Sequence, residues 1–255
     1  MNKSIYRITQ IEAMIRENFA LSICEIAERL GVSEMTIRRD LSSPWNRSNL
    51  KNIRGMIIGD VVSSANTYSV STAHDNNRIE KSKIGKAAAS LICDGDVVAL
   101  DIGSSVECVA KAIDSEVCAT VICSSYNSFS HLTQNNNLKI HCLGGYFHPQ
   151  TQVFESPEGL TYLSRVRANI LFASAAGIHQ QLGITCANEY EIPIKKALIA
   201  SSAYRVLLLD SCKLGRIQTS FVTNLSSYNK VIIDSKITQE WIDYFEKSNV
   251  ELMIV

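Results

Sequence analysis

The stretch from Ser22 to Leu41, SICEIAERLGVSEMTIRRDL, constrains this chain more than any other. Ser22 and Glu25 stand at the spacing of a capping box, and Ile23, Ile26, Ala27 and Leu30 follow the i, i+3, i+4, i+7 pattern of a one-sided helix. Gly31 suits the left-handed residue that ends such a helix. A second short helix follows from Ser33. Its period puts Ile37 and Leu41 on one side, with Met35, Thr36, Arg38 and Arg39 around the other. Two short helices joined by a glycine-containing turn make a helix-turn-helix, whose second helix can lie in the DNA major groove. Arginine can bridge guanine N7 and O6 and also pairs with phosphate. The competing reading is an ordinary helix pair with a solvated charged face.

The flanking residues extend this unit. Ile8, Ile11 and Ile15 predict an earlier helix with an apolar face, closed against the second by Phe19 and Leu21. The outer helix is expected to stop at Ser42-Ser43-Pro44, since a residue before proline avoids the α region. From Asn49 to Gly59 apolar residues alternate around Arg54-Gly55, which predicts a two-stranded wing with a tight turn. Arg54 then touches phosphate or simply faces solvent. From Asp60 to Asn77 the chain is rich in Ser, Thr and Asn and reads as a connection, in which His74 is a lone loop histidine. The expected division is a winged helix-turn-helix at 1–58, a linker at 59–77 and a second domain at 78–255.

Overall charge is uninformative, with 25 basic and 25 acidic residues in 255. Residues 1–58 hold nine basic and six acidic residues, a mild basic bias that fits a nucleic-acid-binding end. The eight cysteines show no C-x-x-C and no zinc spacing, so they read as buried small side chains in a reducing compartment. No metal or cofactor is expected. Without a leader-like start or an apolar run near the roughly 18 residues of a membrane span, a cytoplasmic protein with no membrane partner is expected.

Beyond residue 78 short apolar strands alternate with helices. Strands are predicted at 97–100, 119–123, 139–143, 170–173, 206–209, 231–233 and 251–255. Helices are predicted around 84–91, 106–113, 127–134, 194–202 and 238–247. The alternation argues for an α/β domain built on a mostly parallel sheet covered on both faces, with ligands beyond the carboxyl ends of its strands. Four strand ends qualify. In Asp101-Ile102-Gly103-Ser104-Ser105 the glycine allows a sharp turn, and the serines at a helix start offer donors to a phosphate or merely cap it. Gly144-Gly145 permits close approach of a ligand or of another backbone. Ala175-Ala176-Gly177 follows a further strand, and Asp210-Ser211-Cys212-Lys213 offers a cation. Asn188, Glu191 and Lys195 either bind sugar hydroxyls or cap and pair on their helix.

GVSEMTIRRDL, D-I-G-S-S, L-G-G-Y, A-A-G-I, N-E-Y-E-I-P-I-K and D-S-C-K-L-G, in this order over nearly the whole chain, resemble the DeoR family of bacterial transcriptional repressors. The resemblance implies a winged helix-turn-helix joined to a sensing domain related to sugar-phosphate isomerases. It implies that operator DNA is released when a phosphorylated sugar binds; for the branch that governs deoxyribonucleoside catabolism, which this chain matches most, that sugar is deoxyribose 5-phosphate. The family's D-x-G-T-T loop falls on Asp101, Gly103, Ser104 and Ser105, with serines for threonines. Its D-x-S-K-F-G falls on Asp210, Lys213 and Gly215, with Cys212 and Leu214 as departures. Of a paired acidic motif only Glu191 remains, Tyr190 standing beside it.

The alternative is an isomerase-like enzyme fused to a DNA-binding domain. Isomerases of this kind place carboxylates in the turn that here reads Ser174-Ala175-Ala176-Gly177, and that turn has none. A sensor rather than an enzyme is therefore expected, and a homo-oligomer too, because one such helix reads half a site.

Overall fold

Ser22 and Glu25 exchange the two hydrogen bonds that their spacing predicts. Ser22 Oγ accepts from the Glu25 amide at 3.1 Å, and Glu25 Oε2 accepts from the Ser22 amide at 2.8 Å. In the computed structural model, which describes residues 3–18, 20–43, 48, 50–58 and 77–255, the chain divides into two units. The first contains α1 (Lys3–Asn18), α2 (Ile23–Leu30) and α3 (Glu34–Leu41), with strands β1 (Ala20–Ser22), β2 (Lys51–Ile53) and β3 (Met56–Ile58). Gly31 ends α2 at φ +62°. Ile11, Ile15, Ile23, Ile26, Ile37 and Ile57 meet in one core, where each fully buried side chain contributes about 2 kcal/mol.

The wing is a three-stranded antiparallel sheet in the order β1-β3-β2, rather than two strands alone. Leu21 is thus a strand residue: it pairs with Ile57 and still reaches the core. A three-residue strand beside a cap residue is too short to show a period. Arg54 and Gly55 form the turn, both at positive φ, +51° and +85°. The Gly55 carbonyl accepts from the Ile23 amide at 2.9 Å and ties the wing to α2. Phe19, Pro44, Asn49, Gly59 and the connection with His74 lie outside the described residues.

The second unit is organised by a seven-stranded sheet, all parallel. Its strands are β4 (Val97–Leu100), β5 (Thr120–Cys123), β6 (Lys139–Cys142), β9 (Ala168–Ser174), β12 (Ser202–Leu209), β14 (Lys230–Ile233) and β15 (Glu251–Ile254), in the order β15-β14-β12-β9-β4-β5-β6. Successive residues go to opposite faces. Ala99, Leu207 and Leu209 enter one core with Leu163, Leu198 and Phe245, whereas Val98, Leu100, Val206 and Leu208 enter the other with Ile84, Val109 and Leu132. The first core therefore lies under α7 (Pro157–Arg165), α8 (Ile192–Ser201) and α9 (Gln239–Lys247). The second lies under α4 (Arg78–Ala89), α5 (Ser104–Ala112) and α6 (Tyr126–Leu132). A sheet buried on both faces needs the near-continuous apolar strands that the sequence shows.

Two additions escaped the sequence reading. A hairpin of β7 (Tyr146–His148) and β8 (Val153–Glu155) follows β6, and β10 (Gly177–His179), β11 (Gly183–Cys186) and β13 (Ser220–Thr223) form a small antiparallel sheet. These strands are three or four residues long. Helix α7 was also missed, although Ser156-Pro157-Glu158 carries its start: Ser156 Oγ accepts from the Gly159 amide at 2.8 Å and proline occupies the first turn.

Candidate functional site

Strand order reverses between β4 and β9. From β4 the chain builds outward through β5 and β6, and from β9 outward through β12, β14 and β15. The loops leaving β4 and β9 therefore diverge, and a crevice opens above the carboxyl ends of the two strands. A cleft of about 370 Å³, mouth included, occupies that place. Gly103 and Ile102 line it from β4, Ser174, Ala175 and Ala176 from β9, Glu191 and Lys195 from the start of α8, and Thr151 and Val153 from the hairpin.

Gly103 sits at φ +129°, and a Cβ there would run into the Ser174 hydroxyl, which itself donates to the Ile102 carbonyl at 2.7 Å. Helix α5 begins immediately after it. Ser104 and Ser105 are thus in its first turn, two residues before the predicted start, and both are buried. The first amides of a helix have no intrahelical acceptor and carry the positive end of its dipole.

Behind the cleft lies a buried ion pair. Lys195 Nζ donates to Asp101 Oδ2 at 2.6 Å and to the Ser174 carbonyl at 3.2 Å, and the Ser174 amide donates to the same Asp101 oxygen at 3.0 Å. Burial works to lower the Lys195 pKa, but the Asp101 and Glu191 carboxylates outweigh it and hold the ammonium above its ordinary range. Glu191 is itself buried, and burial pushes its carboxyl up against the pull of Lys195 and a 2.7 Å hydrogen bond from Asn188. Burial also raises the Cys186 thiol at the cleft wall, to about 12. The hairpin wall is braced in turn: Thr151 Oγ1 lies 2.8 Å from the Tyr190 hydroxyl, and the Tyr190 ring stacks on His148 at 3.8 Å.

Of the residues singled out from sequence, the structure brings Gly103, Ala175, Ala176, Glu191 and Lys195 to the cleft, with Asp101 one hydrogen bond behind. Gly177 stands just past the wall, its carbonyl accepting from Thr185 at 3.3 Å. Gly144 and Gly145 do not line the cleft. Gly145 lets the chain pass the Glu155 backbone, where a Cβ would strike the carbonyl, so of the two uses for paired glycines the structure shows backbone approach. Asp210 and Lys213 end β12, one strand further along. Asp210 is buried and accepts from Asn77 Nδ2 at 3.1 Å and from the Cys212 thiol, and the Lys213 amide closes a turn on the Asp210 carbonyl at 2.9 Å. Thr151 and Val153 were not foreseen. Only the glycine pair hinted that the chain folds back there.

In the first unit the outer face of α3 forms as its period requires. Met35 is 72% exposed and Arg38 and Arg39 are exposed, while Ile37 is fully buried. Ser33 caps the helix, its Oγ accepting from the Thr36 amide at 3.3 Å, and lies 2.9 Å from the Thr36 hydroxyl. Asp40, unremarked in the sequence, is buried and bonds Arg7 of α1 at 2.6 Å. Burial opposes its ionisation, but the Arg7 guanidinium prevails and lowers its pKa.

A capped helix with two exposed arginines on a winged unit, joined to an α/β domain with a cleft at its switch point, defines a DNA-binding regulator with its own sensing domain. The DeoR-like helix-turn-helix domain matches residues 7–56 and the DeoR C terminal sensor domain residues 76–235. The chain belongs to the DeoR family of transcriptional repressors. It is 30% identical to the deoxyribose operon repressor of Escherichia coli K12 over 247 residues, 97% of each chain. It is 29% identical to the transcriptional repressor GlcR of Bacillus subtilis 168 over 251 residues, 97% of this chain and 95% of that one. Among solved structures, the ribose 5-phosphate isomerase of Methanocaldococcus jannaschii aligns with a TM-score of 0.39 and 18% identity, covering 54% of this chain and 55% of that one. No described helix is long and apolar enough to cross a membrane.

Proposed function

We propose that this repressor holds its operator through α3 and releases it when a phosphorylated pentose, of the deoxyribose 5-phosphate type, enters the cleft above Gly103. The observation that carries the reading is the cleft at the strand-order reversal. A glycine turn and a helix start border it on one side, and the buried Lys195–Asp101 pair backs it on the other. The amides after Gly103 suit the phosphate. Glu191 and Thr151 suit sugar hydroxyls. Ser104 and Ser105 carry those amides, and Gly144, Gly145, Gly177, Asp210 and Lys213 belong to the same carboxyl edge and act on the ligand through the loops they shape. Ser33, Met35, Thr36, Arg38 and Arg39 meet the major groove, and Arg54 at the wing tip meets phosphate.

The units act as separate domains, 1–58 and 78–255, across a linker at 59–77. The repressor works in the cytoplasm as a homo-oligomer, because two copies of α3 must span half-sites about 34 Å apart. It is not an enzyme. Of the described residues lining the cleft only Glu191 is a carboxylate, whereas isomerisation needs a base together with a group that stabilises the enediolate.

A gel-shift titration of the full chain on its own upstream DNA, with a panel of sugar phosphates, tests the reading. Deoxyribose 5-phosphate is expected to weaken binding, because the ligand favours the state of lower DNA affinity. Operator affinity unchanged by every phosphorylated pentose defeats it. Steady isomerisation of any of these sugars by the same protein supports the enzyme instead.

A further inference from the structure

Cys123 ends β5 and Cys142 ends β6, and the two are direct partners in the parallel ladder. Adjacent strands lie about 4.8 Å apart and residues directly opposite face the same way, which is within the roughly 4.4–6.8 Å between Cα atoms that a disulfide takes. Both cysteines are free, and the ladder sets the Cys123 thiol beside the Cys142 sulfur. Strand β6 is the edge of the sheet, so Cys142 is half-buried while Cys123 is covered. One residue of the pair is partly open to solvent and the other is covered beside it.

We propose that Cys123 and Cys142 are a peroxide-oxidisable pair, in which Cys142 is the attacking thiolate and Cys123 the resolving thiol. The neighbouring Cys123 thiol, and after it the Gly144 amide, hold the Cys142 thiol down at about 6 against the effect of burial, and the same neighbour relation with burial pushes Cys123 up. The thiolate is the nucleophile. Cys142 sulfur attacks one oxygen of hydrogen peroxide, the O–O bond breaks, and hydroxide leaves to become water, giving a sulfenic acid. Cys123 sulfur then attacks Cys142 sulfur; the S–S bond forms, the S–O bond breaks, and the hydroxyl leaves with the Cys123 proton as a second water. Two thiols are oxidised by two electrons and one peroxide is reduced. The pair lies beneath the loops that seat the hairpin, where the Phe154 amide donates to the Ser124 carbonyl at 2.8 Å and the Tyr126 amide to the Gln152 carbonyl at 2.9 Å. Oxidation therefore staples the edge that carries Thr151 and Val153, whatever ligand the cleft takes.

Mass spectrometry tests the pair on the full chain. After brief hydrogen peroxide treatment and alkylation, trypsin cuts between the cysteines at Lys139. A disulfide-linked pair of peptides, lost on dithiothreitol treatment, is expected. Cys123→Ala should leave a sulfenic acid at Cys142 that dimedone traps, and Cys142→Ser should abolish both products. Alkylation of unoxidised Cys142 should reach half its limiting rate near pH 6. Oxidation confined to the exposed Cys24, Cys93 and Cys118, with Cys142 alkylating as an ordinary thiol, overturns the proposal.

Discussion

The Lys195 ammonium and the Asp101 carboxylate meet 2.6 Å apart with side chains 5% and 2% exposed. They come from positions 94 apart in the chain, one from the start of α8 and one from the end of β4, on opposite sides of the strand-order reversal. The ion pair therefore joins the two halves of the cleft floor. Its charge is internal: Lys195 is committed to Asp101 and to the Ser174 carbonyl, so it shapes the field over the cleft rather than acting as a mobile cation.

Removing one partner leaves the other buried and charged. Lys195→Met is expected to destabilise the protein by about 3–5 kcal/mol in urea unfolding. Lys195→Met with Asp101→Leu should recover much of that loss. A double variant as unstable as the single one contradicts a paired charge and points to packing around the lysine stem.

Gly103→Ala meets two obstacles at once, a φ of +129° and the Ser174 hydroxyl. A loss of about 1–3 kcal/mol is expected, with the response of operator binding to the effector lost as the turn moves. Gly95→Ala, at φ +83° with open space around it, should cost about 1 kcal/mol and leave the effector response intact. Equal effects of the two on effector response contradict the cleft assignment.

Arg38→Ala and Arg39→Ala replace exposed side chains of α3. Each should change folding stability by no more than about 0.5 kcal/mol. Each should weaken operator binding, and a phosphate contact should reduce the slope of log K against log salt by about 0.9. A contact to a base should instead relax the preference at one operator position and leave the slope nearly unchanged. Full affinity in both variants moves the DNA contact elsewhere.

Asp40 gives the DNA-binding unit an acid-sensitive anchor. Its pKa is lower in the folded chain than its ordinary 3.8 because of Arg7, so folding favours the charged form. The stabilisation is complete above the unfolded pKa and is lost as pH falls through the lowered folded pKa. Asp40→Asn should remove that acid-limb dependence and cost about 2 kcal/mol at neutral pH, read by thermal unfolding of the full chain across pH 2 to 7. An unchanged acid limb means that the bridge does not survive in solution.

The local signals and the global arrangement were legible to different degrees. Ser22, Glu25, Gly31 and Ser33 foretold the helix ends, because a cap is an interaction between residues three or four apart. Apolar runs such as Val97–Leu100 and Val206–Leu209 foretold a sheet covered on both faces. Gly103 could be named as a turn at a strand end, and Glu191 and Lys195 as residues near a site. None of the local patterns told that Lys195 would be sealed against Asp101, that Asp40 would be buried on Arg7, or that Gly145 would serve the backbone of Glu155.

Patterning within a dozen residues thus determined which segments became helices and strands, and sequence similarity along nearly the whole chain determined the family. Which strand ends share the cleft was decided by strand order, and so was the entry of the unforeseen Thr151 and Val153. The order follows from how β4 and β9 pair in the middle of the sheet, a contact between residues about 70 positions apart. Periodicity carries no information about such a pairing, because any apolar strand satisfies the same local pattern and only the packing of both cores at once selects its neighbour.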